Sequence, residues 1–175
     1  MRFVITGEWN RNHLLQAIVA LYSVYVAGLW LTNALLYFNK MGLTYASVVD
    51  YYRGDDERFL APRTYQGLLE VSHFHLFAMG MLLLVLTHLV LFVPLSSRWK
   101  IWLIVLPFSA AGIAEAAGWL VRFVHPGFAY VKIAGFLALE SSLAVLVILS
   151  LWAVFAGSQR NYDARPAGRD AVIDS

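Results

Sequence analysis

Four long apolar stretches dominate the chain, and each is long enough to cross a lipid bilayer. A membrane-spanning helix needs roughly 20 consecutive, mostly apolar residues. The stretches contain many leucine and β-branched residues without a two-residue alternation, which predicts helices rather than strands of a membrane barrel. They cover residues 14–38, 69–95, 101–124 and 128–156.

The connections between these stretches predict how the helices are arranged. Residues 96–100 and 125–127 are short links after the second and third stretches, and short links require antiparallel neighbours. The sequence therefore predicts an all-α, up-down-up-down four-helix bundle embedded in the membrane. We assign residues 1–157 to this bundle and residues 158–175 to a mobile polar tail.

The long connection between the first two spans carries a pattern of its own. Thr44 is suited to cap the N-terminus of a helix, apolar residues then recur at helical spacing, and Gly54 is suited to end it. Tyrosines favour the boundary between lipid and water. We therefore expect a short interfacial helix in the loop between spans one and two.

Composition also indicates a membrane protein. Hydrophobic residues make up 60% of the chain and charged residues 14%, whereas soluble domains have about 45–50% and about 25%. The charges are too few and too scattered to bind nucleic acid. Cysteine is absent, which excludes disulfides, iron–sulfur clusters and covalent haem attachment through cysteine. Basic residues are slightly more numerous on the side that holds both termini, so we place that side in the cytoplasm and the chain in a bacterial cytoplasmic membrane.

The five histidines fall into two groups at opposite sides of the predicted bundle. We call the side that holds both termini side B and the opposite side A. His13 and His88 lie near side B, whereas His73, His75 and His125 lie near side A. Ionisable groups at membrane depth are costly and indicate function by default. Histidines near span ends also occur as ordinary interfacial residues, which is the structural alternative.

Two neutral imidazoles from different helices can hold a haem iron from both axial sides. On this interpretation His13 and His88 bind one b-type haem near side B. A second haem near side A takes His125 together with either His73 or His75. Two haems at these depths would carry electrons across the bilayer.

Helix geometry adds detail to this hypothesis. His73 and His88 are about 60° apart around the helix and about 22 Å apart along it. Gly80 lies between them in nearly the direction of His73, where a small residue leaves room for a flat ring or for a neighbouring helix. Arg122 is placed to meet a haem propionate. Arg122 and Lys132 are both expected to extend to the side-A interface.

With these residues, the chain resembles the broad class of four-helix transmembrane b-type cytochromes, such as the b561-like proteins and the haem-bearing bundle of cytochrome b. The resemblance covers residues 14–156 and rests on His73 and His88, which are spaced much as two haem ligands are on one helix of that bundle. In those bundles a second helix supplies a matching pair, whereas the fourth span here has no histidine. The resemblance implies one or two haem b groups and contact with the quinone pool.

Two carboxylates inside the spans carry a second signal. Glu115 and Glu140 lie about 13 and 18 Å from the side-A ends of the third and fourth spans. A carboxyl group at this depth can take a proton from a quinol, which couples proton movement to electron transfer. The alternative is that each acid bonds to a neighbouring helix, with Asn33, Ser141 and Ser142 as candidate partners.

We therefore expect a b-type cytochrome subunit that transfers electrons between the quinone pool and a redox partner. Its partners would be the lipid bilayer, quinone or quinol, and other subunits of a redox complex. The main alternative is a haem-free subunit that anchors a larger complex, in which the histidines and glutamates serve packing. A small transporter with proton sites at Glu115 and Glu140 is a third alternative, but the sequence has no sign of the broken helices that such transporters use. Glu70 and His73 have the Glu-x-x-His spacing of a di-iron site, but the sequence does not contain the second such pair that this site requires.

Overall fold

The computed structural model describes residues 13–163 and is built from helices. A short 3-10 turn at Pro126–Phe128 joins the last two of the five α-helices. Their bounds are His13–Lys40 (α1), Tyr45–Arg53 (α2), Tyr65–Val90 (α3), Ser97–Phe123 (α4) and Ala129–Asp163 (α5). Helix α5 thus continues into the segment predicted as a polar tail. Residues 1–12, and residues 164–175 of that tail, lie outside the described residues.

Four of the described helices are long and apolar enough to cross a membrane, namely α1, α3, α4 and the segment Pro126–Ala153 that contains most of α5. Each has 26–28 residues, which corresponds to about 40 Å of helix. Large apolar side chains are exposed along the outer surface, as contact with acyl chains requires. The chain is a multi-pass membrane protein, and the predicted all-helical, four-span architecture is confirmed.

Helix α3 begins earlier than hydropathy predicts. Its first residue is Tyr65 rather than residue 69, because the Thr64 hydroxyl accepts a hydrogen bond from the Gly67 N–H at 3.1 Å and caps the first turn. Capping residues are polar and lower the hydropathy of the segment that they start. The apolar pattern therefore marks the membrane-embedded part of the helix and misses its first turn.

Helix α3 also ends earlier than hydropathy predicts, at Val90 rather than at residue 95. Pro94 lacks the N–H that the helix ladder needs and disfavours helical geometry in the residue before it. The residues around it are apolar, so hydropathy continues through the break. Helix α4 begins at Ser97 rather than at residue 101, so the link between α3 and α4 covers residues 91–96 instead of 96–100.

The short helix α2 forms where the sequence predicts it. The Thr44 hydroxyl accepts a hydrogen bond from the Ser47 N–H at 3.3 Å. Gly54 ends the helix with a φ of 81°, a conformation that glycine adopts at little cost. Val48 and Tyr52 are buried, so α2 packs one face onto the side-A end of the bundle.

Helices α4 and α5 form the most closely packed pair of the bundle. Gly135 of α5 lies directly on α4, since a Cβ atom added there would be 3.0 Å from the Cα atom of Ala114. Small residues permit this close approach of two backbones in a membrane. Helix α1 packs on α5, and α3 packs on α4 and, to a smaller extent, α5.

Apolar clusters fill the two halves of the bundle. The cluster toward side B joins α1, α3, α4 and α5 around Leu83, Leu86 and Leu143. The cluster toward side A joins α2 to the bundle and includes Tyr37 and Phe136, whose rings stack with centroids 3.7 Å apart. Beside this second cluster, the space between α1 and α3 is incompletely filled.

Candidate functional site: a membrane-embedded cavity

A cavity of about 790 Å³ lies in the side-A half of the bundle. All four membrane-spanning helices and α2 contribute to its wall. Leu36 of α1 and Leu76 of α3 line the cavity and are also exposed on the outer surface. The cavity therefore opens toward the lipid between these two helices. Its charged, imidazole and amide side chains are Asn33, Lys40, Arg63, Glu70, His75, Glu115 and Lys132.

Glu115 of α4 interacts with α3 through both carboxylate oxygens. Ser72 Oγ donates a hydrogen bond to Oε1 at 2.5 Å, and His75 Nδ1 lies 3.2 Å from Oε2. Trp119 Nε1 donates to Ser72 Oγ at 2.8 Å and so orients this hydroxyl toward Glu115. The carboxylate is thus held in a network that joins α3 to α4.

The contact with an ionised Glu115 favours one tautomer of His75. A carboxylate accepts hydrogen bonds, so Nδ1 of a neutral imidazole beside it is the protonated nitrogen and Nε2 is an acceptor. The His75 side chain is 49% exposed and lines the cavity. His75 can therefore accept a proton from a ligand while Glu115 stabilises the resulting imidazolium.

Lys132 of α5 turns into the bundle. Its Nζ donates to the backbone carbonyl of Ala114, the residue before Glu115, at 2.8 Å. The Nζ atom also lies 5.9 Å from the centroid of the Tyr52 ring. The expectation that Lys132 extends to the side-A interface is therefore wrong, because polar partners inside the bundle compete with the interface for its ammonium group.

Tyr52 of α2 closes the side-A end of the cavity. It packs so closely on α4 that a Cβ atom added to Gly118 would lie 2.8 Å from its hydroxyl oxygen. The Arg63 N–H donates to the Tyr52 carbonyl at 3.0 Å, and the Arg63 guanidinium lies 4.1 Å from the centroid of the Tyr51 ring. Burial raises the pKa of the Tyr52 phenol, so this side chain stays neutral.

Of the five histidines, only His75 lines the cavity. His73 and His88 are exposed on the outer surface of α3, and His13 is exposed at the start of α1. His73 and His75 are about 160° apart around the helix, and His73 is not among the residues that line the cavity. The described residues therefore place no second histidine beside His75 in its wall.

His125 lies in the turn after α4. Its Nδ1 accepts a hydrogen bond from the Gly127 N–H at 3.0 Å, which caps the 3-10 turn. A neutral ring that accepts at Nδ1 carries its proton on Nε2 and has no free lone pair there for a metal. The cap of the turn therefore requires the His125 proton on Nε2, whereas an axial bond to a haem iron through Nε2 requires the proton on Nδ1. Its assignment as a haem ligand stays a prediction.

Gly80 and Arg122 take different places relative to the cavity. Gly80 lines it, and a Cβ atom added at this position would have no neighbour within 4 Å. Arg122 Nε donates to the Arg63 carbonyl at 2.8 Å, and its guanidinium lies 5.2 Å from the centroid of the Phe123 ring. Gly80 thus leaves open space in the wall, whereas Arg122 ties the end of α4 to the segment before α3.

Glu140 of α5 is buried and does not line the cavity. Asn33 Nδ2 donates to its Oε1 at 2.5 Å, and Trp30 Nε1 donates to its backbone carbonyl at 3.0 Å. Its Oε2 is buried and has no hydrogen-bond partner among residues 13–163. Asn33 is one of the partners that the structural alternative predicts, and the pair joins α1 to α5.

The Asn33–Glu140 contact leads to a stability prediction. Asn33→Leu is expected to lower the free energy of unfolding by about 1 kcal/mol, because the buried carboxyl group loses its donor. Asn33→Leu combined with Glu140→Leu is expected to recover most of this loss, because no polar group is then left unpaired. Unfolding in mixed micelles, followed by circular dichroism, measures both values. A double variant less stable than Asn33→Leu would contradict this account.

Sequence reasoning identified Glu115 and His75 but missed the residues that support them. Ser72 lies three residues before His75, and Trp119 lies four residues after Glu115, so each supporting residue shares a helix face with its partner. This spacing is visible in the sequence, so polar groups three or four residues from Glu115 and His75 could have been predicted as their supporting residues. Tyr52 offers no such signal, because it reaches the site from a different segment of the chain.

No group of three or more histidine and carboxylate side chains in residues 13–163 is arranged to hold a metal ion. Glu70 accepts a hydrogen bond from Gln66 one turn earlier in the same helix, at 3.0 Å. The Glu70–His73 pair therefore gains no further ligands from the part of the chain that the structure describes.

Comparisons with known proteins agree with this architecture. Residues 42–161 match the model of a family that is described as a transmembrane helical domain, Aq_1264_TM. The match begins just before α2 and covers α3, α4 and most of α5. A search of curated proteins finds no match, and neither does a search of solved structures. Because the matched segment is well over half of the 175 residues, the chain belongs to this family of transmembrane helical domains.

Proposed function

We propose that the protein is a membrane subunit that binds quinol or quinone in this cavity and exchanges protons with it. The electrons pass to a one-electron redox centre of another subunit. The observation that carries this proposal is the His75–Glu115 pair in the wall of a largely apolar cavity that opens to lipid. Quinones travel within the bilayer, so a ligand of this class reaches the cavity without leaving the membrane.

The pair has the chemistry that quinol oxidation requires. Oxidation of a quinol to a quinone releases two protons and two electrons. Nε2 of His75 accepts the proton of a ligand hydroxyl group, and Nδ1–H can pass its own proton to Glu115. The pair accounts for one of the two protons, and water takes the second. A redox centre of the partner subunit, such as a haem or an iron–sulfur cluster, takes the two electrons one at a time.

The apolar part of the cavity suits the remainder of such a ligand. Phe74, Met79 and Phe108 line it together with small residues such as Ala111 and Gly112. Ligand sites of this kind combine an apolar wall with a few polar groups that fix orientation. A quinol ring can pack on these side chains while its alkyl tail leaves through the opening between α1 and α3.

Haem b is the other group that the sequence suggests for electron transfer. His75 meets part of its requirement, because a ring with Nδ1 bonded to a carboxylate offers Nε2 to a metal. However, the described residues give the cavity only this one histidine. They do not fit a bis-histidine haem held within one chain, and we derive no step through haem. An absorption spectrum and a pyridine haemochrome assay of the purified protein test the haem prediction directly.

A cavity-filling variant tests the proposed ligand. Gly80→Leu is expected to lower the affinity for a decyl-substituted 1,4-benzoquinol at least about tenfold, because the new side chain occupies ligand space. The measurement is an equilibrium titration under argon in lipid nanodiscs, with empty nanodiscs to subtract partition into lipid. Gly28→Leu is the matched control, since Gly28 also has no neighbour within 4 Å of an added Cβ atom but does not line the cavity.

Two outcomes would overturn the proposal. One is wild-type protein that binds no quinol above the lipid background. The other is equal affinity in the wild type, Gly80→Leu and Gly28→Leu, which would locate binding outside the cavity. Absence of both quinol binding and haem would favour the anchor function.

A further inference from the structure

We infer that Lys132 is the second anchor of the ligand, so that the cavity selects a ring with two oxygens over a ring with one. This inference rests on the proposed function and names the ligand chemistry at the same site. His75 serves one oxygen of the ring, and the Lys132 ammonium group donates to the other. A para-quinol or para-quinone has an oxygen at each end of its ring.

The two anchors belong to different helices, and both approach α4 near Glu115. His75 belongs to α3 and contacts Glu115 at 3.2 Å. Lys132 belongs to α5 and donates to the carbonyl of Ala114, the residue before Glu115. Both side chains line the cavity. A flat ring that lies against α4 between α3 and α5 therefore meets an imidazole and an ammonium group.

The hydrogen-bonding capacity of Lys132 supports this role. An ammonium group has three donors, and among the described residues the structure gives it one acceptor, the Ala114 carbonyl. The Ala114 carbonyl at 2.8 Å and the Tyr52 ring, whose centroid lies 5.9 Å from Nζ, offset part of the cost of keeping the charge inside the membrane. Donors therefore remain available to a ligand oxygen that enters the cavity.

A ligand pair that differs by one hydroxyl group tests the inference. Wild-type protein is expected to bind the decyl-1,4-benzoquinol on the order of tenfold or more tightly than the decylphenol that lacks the second hydroxyl, as one hydrogen bond from a charged donor predicts. Lys132→Met is expected to bind both ligands with the affinity of wild type for the phenol. Lys132→Arg, which keeps a charged donor, is expected to retain part of the preference.

Lys100→Met is the matched control, because Lys100 also donates to a backbone carbonyl, that of Leu91 at 2.6 Å, but does not line the cavity. It is expected to keep the wild-type preference for the quinol. A preference that survives Lys132→Met would overturn the inference and leave the proposed function intact. If Lys132→Met lost affinity for the quinol and the phenol equally, Lys132 would have a structural role, and this result would also overturn the inference. Failure of wild type to bind either ligand would instead overturn the proposed function.

Discussion

The His75→Leu variant is expected to bind the decyl-1,4-benzoquinol about tenfold to a hundredfold more weakly than the wild type. Nε2 of His75 is the acceptor for the ligand hydroxyl, and leucine offers none. Glu115→Leu is expected to cause a similar loss, because without the carboxylate nothing holds the proton on Nδ1 and the acceptor on Nε2. Titration in lipid nanodiscs measures both affinities.

The double variant shows whether the two residues act as one unit. If Glu115 acts through His75, the variant with both substitutions binds the quinol no more weakly than His75→Leu alone. Losses that add in the double variant would contradict the proposed pair. His73→Leu is the control, since His73 lies on the same helix but outside the cavity lining. Glu115→Gln preserves the shape of the side chain and removes its charge. A thermal melt of every variant separates loss of binding from loss of fold.

The overall fold could be predicted because lipid constrains it so strongly. A segment that crosses the hydrocarbon core must satisfy its own backbone and present apolar side chains, and both requirements are visible in a single sequence. The cap at Thr44 and the end of α2 at Gly54 were also predicted, because they depend on local chemistry. The ends of α3 were not predicted. Hydropathy places the start too late because the capping residue Thr64 is polar, and it places the end too late because the residues around Pro94 are apolar.

The candidate site could be predicted only as a set of separate residues. Apolar residues occur on every face of helix α3, so no hydrophobic stripe indicates which face lies inside the bundle. The sequence therefore left open which of His73 and His75 belongs to the side-A site, and the packing of α3 on α4 brings His75 into contact with Glu115. The direction of Lys132 depends in the same way on the Ala114 carbonyl of another helix.

The close contact of α4 and α5 accounts for the position of both Glu115 and Lys132, and it depends on Gly135. Gly135→Val is expected to lower the free energy of unfolding by about 1–3 kcal/mol, because even its Cβ atom would lie 3.0 Å from the Ala114 Cα atom and 3.1 Å from the Ala114 nitrogen. Backbone atoms cannot move aside as a flexible side chain does, so α4 and α5 must separate. Circular dichroism during unfolding in mixed micelles measures the loss.

The same variant is expected to weaken quinol binding, because separation of the two helices moves Glu115 and pulls Lys132 away from the Ala114 carbonyl. Gly28→Val is the control, since a side chain at Gly28 has no neighbour within 4 Å of its Cβ atom and is expected to leave both stability and binding near wild type. Unchanged stability in Gly135→Val would show that α4 and α5 do not need this close contact. Normal quinol affinity in a destabilised Gly135→Val variant would show that the ligand groups do not depend on how these two helices are spaced.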